Sequence, residues 1–70
     1  MHTAPAIGGK VDEIGTLIRE ASRCWLRRDA GGRWALDLHR VRGDPATQRV
    51  RVTGVFIGND LVDVDQIEAP

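Results

Sequence analysis

Apolar and polar residues alternate along residues 49–54. Val50, Val52 and Gly54 fall to one side and Arg51 and Thr53 to the other, the period of a strand with one buried face. A second run rich in β-branched residues follows at 61–67, and Gly58-Asn59-Asp60 stands between the two. This is the strongest hairpin signal in the chain. A three-residue loop there sets Phe56 opposite Val62 and Gly54 opposite Val64. Asp63 and Asp65 then point outward with Arg51 and Thr53. A two-residue loop slips the pairing and turns Val55 and Ile57 inward instead, because a slip of one residue exchanges the faces. Gly54 in mid-strand marks a bulge or a tight barrel corner, which can admit part of each register.

Upstream, the pattern predicts three more strands. The first covers residues 10–19, with Val11, Ile14, Thr16 and Ile18 inward, provided Gly15 or a nearby bulge absorbs the break in alternation. A helix competes there, since Val11, Ile14, Leu17 and Ile18 have helical spacing, but Gly15 and the β-branched residues favour a strand. The second strand covers 22–28 and the third 33–38, joined by the turn Asp29-Ala30-Gly31-Gly32. If Asp29 faces Arg33, Cys24 pairs with Leu38, Leu26 with Leu36 and Arg28 with Trp34. Cys24, Leu26, Trp34, Leu36 and Leu38 then form a buried face. Arg23, Trp25, Arg27, Ala35 and Asp37 form the opposite one, with Trp25 across from Asp37. Trp34 reads as core and Trp25 as surface.

Between strands three and four, Asp44 as N-cap and Pro45 behind it predict one helical turn. Residues 1–9 read as a flexible segment, 10–67 as one β-barrel domain and 68–70 as a tail.

Seventy residues make a single domain whose core is marginal. One cysteine excludes an internal disulfide and argues against a cysteine-based zinc site, leaving a tight barrel or oligomerisation to supply stability. The N-terminal residues lack the basic start and apolar run of a secretion signal, and no apolar stretch reaches membrane-spanning length. A cytoplasmic protein without membrane contact is expected. The zero net charge conceals an asymmetry: residues 19–51 hold nine arginines against four acids, whereas Asp60, Asp63, Asp65 and Glu68 make the end acidic. Arginine's planar fork suits phosphate or carboxylate, yet the overall basicity usual in nucleic-acid binders is absent.

Three strands in a meander, a connector and a C-terminal hairpin follow the plan of a five-stranded OB-like barrel. GTLIRE at 15–20, CWLRRDAGGRWALDL at 24–38, RVRVTG at 49–54 and DLVDVDQI at 60–67 together resemble short bacterial proteins of unknown function with an OB-fold-like small β-barrel. The short connector keeps an SH3-like barrel as the alternative. The resemblance implies a ligand face on strands two and three, framed by the loops near Glu20-Ala21-Ser22 and Gly58-Asn59-Asp60.

On that face Trp25, flanked by Arg23 and Arg27 with Asp37 nearby, offers a stacking platform beside anion-binding guanidiniums. Packing or protein contact is the competing role for the same indole. Val55, Ile57 and Leu61, outward in the preferred register, offer a self-association patch and predict a homodimer. His2, His39 and Cys24 are too scattered for a metal site. Cys24 reads as an inert core thiol, and Asp63 with Asp65 as solubilising acids on one strand face. No catalytic residues and no cofactor are expected. The sequence therefore predicts a non-enzymatic binding module acting by protein interaction or self-association, with weak single-stranded nucleic-acid binding on the strand-two and strand-three face as the alternative.

Overall fold

The computed structural model describes residues 6–41 and 48–70. Five strands, β1 (Lys10–Glu20), β2 (Arg23–Arg28), β3 (Arg33–Asp37), β4 (Arg49–Gly58) and β5 (Leu61–Glu68), close into one barrel in the order β1-β2-β3-β5-β4. All neighbouring pairs are antiparallel except β3 with β5, which run parallel. The all-β small barrel expected from the pattern is the fold observed, and no helix occurs among the described residues. The helical turn expected at Asp44 lies outside them.

Closure depends on β1, which pairs with β4 through residues 10–16 and with β2 through residues 15–20. Gly15 sits where the two ladders overlap, and a Cβ there would collide with the Arg27 carbonyl oxygen. The expected bulge is therefore not needed, and alternation runs unbroken. Val11, Gly15 and Leu17 are buried, while Thr16 and Ile18 are half-buried and Ile14 is 40% exposed. Ile14, Thr16 and Ile18 thus face outward, against expectation, because glycine occupies the inward position that read as a break. Glu13, at an inward position near the end of the wall, is met by Arg28 at 3.3 Å.

The β2–β3 hairpin is also corrected in register. Cys24 pairs with Leu36, Leu26 with Trp34 and Arg27 with Arg33. The turn closes one residue earlier than expected: Arg28 N donates to Gly32 O at 3.0 Å and Gly31 N to Arg28 O at 3.0 Å. Arg28 therefore faces Gly32, and the pairing moves by two residues. An even shift keeps every side chain on its predicted face, so Trp34 is buried at 5% exposure and Trp25 is half-buried on the outside.

In the second hairpin Phe56 pairs with Val62 and Gly54 with Val64, as the alternation predicts. The loop differs from expectation. Asn59 and Asp60 have φ of 53° and 54°, a two-residue turn of the kind favoured in hairpins, closed by Gly58 opposite Leu61. Ile57 is left over as a bulge between Phe56 and Gly58, which reconciles the short turn with the longer-loop register. Gly54 marks the second irregularity, where a Cβ would collide with the Asp63 carbonyl oxygen.

The barrel encloses one core of Val11, Leu17, Leu26, Trp34, Leu36, Val50, Val52, Phe56, Val62 and Val64. Trp34 and Phe56 meet at 5.7 Å between ring centroids, tilted by 55°. Each fully buried side chain of this size stabilises by roughly 1.5–3 kcal/mol relative to exposure, and these ten make up most of the apolar interior. Leu38, Val41 and Ile67 pack at its margins. The N-terminal segment joins the wall before β1 begins: Gly8 N donates to Phe56 O at 2.7 Å and Phe56 N to Gly9 O at 2.9 Å.

Candidate functional site

Following the registers across the barrel's outer surface, Ile18 pairs with Trp25, Trp25 with Ala35 and Ala35 with Leu61. Four strands thus contribute one side chain each to a continuous apolar row. Its members are buried or half-buried, since each is shielded by its neighbours. Beside Ala35 and Leu61 the row opens into a cleft of about 340 Å³ lined also by Ser22, Arg23, Cys24, Leu36, Asp37 and Leu38, which reaches the core's margin. The cleft lies between the start of β2, the end of β3 and the start of β5, with Ser22 of the loop after β1 and Leu38 beyond β3 at its rim.

Arginine borders the row. Arg27 pairs across the strands with Arg33, and the Arg33 guanidinium lies 4.3 Å over the Trp25 ring. Arg23 stands two residues from Trp25 on the same side of β2. Among the described residues, none of Arg23, Arg27 and Arg33 has a carboxylate within ion-pair distance. Two acids share this face. Glu20 is the cross-strand partner of Arg23 without closing an ion pair to it, and Asp37 is engaged elsewhere: His39 Nδ1 lies 2.8 Å from Asp37 Oδ1, and the His39 backbone N donates to it at 3.2 Å. These bonds hold the Asp37 carboxyl below its usual pKa, so it stays ionised beside Arg23.

The structure therefore brings Arg23, Trp25, Arg27 and Asp37 to one surface, with Trp25 opposite Ala35 rather than Asp37 because of the two-residue shift. Sequence reasoning missed Arg33 as a member of the face. Alternation back from Asp37 through Ala35 reaches it, and that signal was present. Ile18 was missed because the first strand was given the wrong inward side.

The self-association residues are divided. Val55 is half-buried between Lys10 and Asp63, Ile57 is 43% exposed in the bulge, and Leu61 belongs to the Trp25 row. Ile7, 78% exposed, reaches over the hairpin tip beside Gly58.

Elsewhere the outer wall is neutralised. Arg51 grips Asp12 through two bonds at 2.7 and 2.6 Å, and Arg49 grips Asp29 through two at 2.6 Å. Hydrogen bonding to these guanidiniums lowers the pKa of both aspartates, and Arg49 and Arg51 are correspondingly raised. Arg40 bridges Asp63 at 3.1 Å and Asp65 at 3.7 Å. Arg28 stacks on Trp34 at 4.0 Å and pairs with Glu13, closing one end of the core. Cys24 is partly buried at the core's margin, with Arg19 Nη1 donating to its Sγ at 3.7 Å. Among the described residues no cluster of three His, Cys, Asp or Glu is placed to hold a metal ion, and no helix is long and apolar enough to cross a membrane.

The geometry defines a small all-β protein, a closed five-stranded barrel with one cationic, apolar-centred wall. The chain belongs to a family described as protein of unknown function (DUF5818), which it matches over residues 14–70. That span contains the whole apolar row, the arginines beside it and four of the five strands complete. No curated protein and no solved structure matches the chain.

Proposed function

We propose that this chain is a non-enzymatic binding module that contacts another protein through the outer face of β2, β3 and the start of β5. The observation carrying this reading is the row Ile18, Trp25, Ala35 and Leu61, which ends in an open cleft and is edged by arginines that close no ion pair with a carboxylate of the described residues. Tryptophan and arginine are the residues on which protein interfaces most often concentrate their binding energy. The strand order supports the OB-like reading over the SH3-like one, and a contact on β2 and β3 is where that reading expects such a barrel to meet its ligand.

Single-stranded nucleic acid is the second reading, favoured by the same three guanidiniums. Arg33 weighs against it, because its guanidinium already occupies one face of the indole on which a base would stack. The two readings separate in a titration of Trp25 emission in a Trp34→Phe variant. Short oligothymidylate at low salt should bind more weakly than roughly 0.1 mM. Saturation at micromolar oligonucleotide, reversed by salt, would replace protein contact with nucleic-acid binding. Sedimentation of the full chain decides whether the partner is a second copy: a dimer that Trp25→Ala returns to monomer places self-association on this face.

A further inference from the structure

We infer that the β2–β3 face accepts an extended acidic peptide segment in which carboxylates stand two residues either side of an apolar residue. This rests on the protein-contact reading and names the chemistry of the partner. A partner cannot add to the barrel as a new strand here, because β2 is already bonded to β1 on one side and to β3 on the other. Recognition must therefore run through side chains, and their spacing sets what fits.

Arg23, Trp25 and Arg27 project from one side of β2 at intervals of two residues. The two arginines are four residues apart, about 13 Å along a strand. An extended peptide laid over them has the same pitch, so its own alternate side chains meet them in the order acid, apolar, acid. The central residue then falls beside the Arg33-covered indole of Trp25, against Ala35 and next to the open cleft.

Charge singles out one end of this arrangement. Arg27 and Arg33 are direct cross-strand neighbours, and like charges so placed repel. No carboxylate of the described residues relieves them. A partner carboxylate seated between the two guanidiniums does, through charge-assisted hydrogen bonds. At the other end Arg23 has Glu20 as its cross-strand partner and the ionised Asp37 for a neighbour around the cleft, and these acids weaken its hold on a second carboxylate. The two acids of the peptide are therefore unequal, and the one over Arg27 and Arg33 dominates.

The test uses the full chain carrying Trp34→Phe, so that Trp25 alone reports. Blocked peptides containing Asp-Ser-Leu-Ser-Asp are titrated beside a permuted peptide with adjacent aspartates, a lysine-substituted peptide and oligothymidylate. The spaced peptide should bind roughly tenfold more tightly than the permuted one. Arg27→Gln should remove that advantage, Arg23→Gln should reduce it less, and Arg51→Gln should leave it intact. Circular dichroism of each variant confirms that the barrel is retained. Equal binding of spaced and permuted peptides would overturn the spacing while leaving protein contact standing. Tighter binding of oligothymidylate than of either peptide would overturn both, and no response to the spaced peptide would overturn the segment proposed.

Discussion

Two sides of the same barrel use arginine on outward-facing strand positions and do opposite things with it. On the β1–β4 side, Arg51 is locked to Asp12, and Arg49 reaches Asp29 in the β2–β3 turn. On the β2–β3 side, Arg23, Arg27 and Arg33 surround a tryptophan and meet no carboxylate of the described residues. The first arrangement neutralises a wall, and the second leaves one charged. Net charge could not reveal this, because it counts both kinds of arginine alike. What separates them is register: the ladders bring Asp12 and Asp29 into ion-pair reach of one set and leave the other around Ile18, Trp25, Ala35 and Leu61, with Glu20 across from Arg23 but not paired to it.

The two sides share a core, and the sharpest way to break the comparison is to remove what lies beneath the charged side. Trp34→Ala should cost roughly 3–5 kcal/mol, comparable with the whole stability of so small a domain, read by chemical denaturation. Trp25→Ala, on the outer surface of the same hairpin, should leave the barrel folded with a far smaller loss. Equal losses would mean that Trp25 is structural and that the two faces of the hairpin are not distinct. Gly54→Ala should come next, at roughly 1–3 kcal/mol, because the added methyl must push the Asp63 carbonyl out of the β4–β5 ladder. A neutral Gly54→Ala would show that the bulge at this corner can relax.

Much of this contrast was legible in the sequence, and the losses have specific causes. Alternation in β2, β3, β4 and β5 assigned faces correctly even where pairing was off by two residues, because an even shift preserves side-chain direction. That is why Trp25 and Trp34 were separated correctly although Trp25's cross-strand partner was misplaced. Residues 10–19 failed for a different reason. Gly15 has no side chain to count as apolar or polar, so the inward parity was lost at the one position where the backbone of β2 comes closest. Arg33 lay at the correct parity but was overlooked beside the more conspicuous Trp34. The bidentate pairs of Arg49 and Arg51 connect residues 20 and 39 positions apart, and only the closed barrel brings them together.

The neutralised side carries a smaller, pH-dependent prediction. Asp12 and Asp29 titrate below the ordinary 3.8 of an aspartate in the folded chain because guanidinium hydrogen bonds favour the carboxylate. Their contribution is present above the unfolded value and is lost as pH falls through the lower folded values. Denaturation midpoints should therefore be level near neutrality and decline below about pH 4. Asp12→Asn with Asp29→Asn should flatten that decline. The effect is modest because both pairs are exposed, and an unchanged acid limb in the double variant would show that these pairs contribute nothing to folding.

The central claim is that, among the described residues, the wall around Trp25 carries more positive than negative charge and that Arg23, Arg27 and Arg33 close no ion pair there. Collisional quenching of single-tryptophan variants by ions of opposite sign measures it directly. With Trp34→Phe, Trp25 emission should be quenched markedly more by iodide than by caesium, because Arg23, Arg27 and Arg33 concentrate anions there, and added inert salt should narrow the difference. With Trp25→Phe, the buried Trp34 should respond little to either ion. Equal quenching of Trp25 by the two ions, or stronger quenching by caesium, would contradict the account.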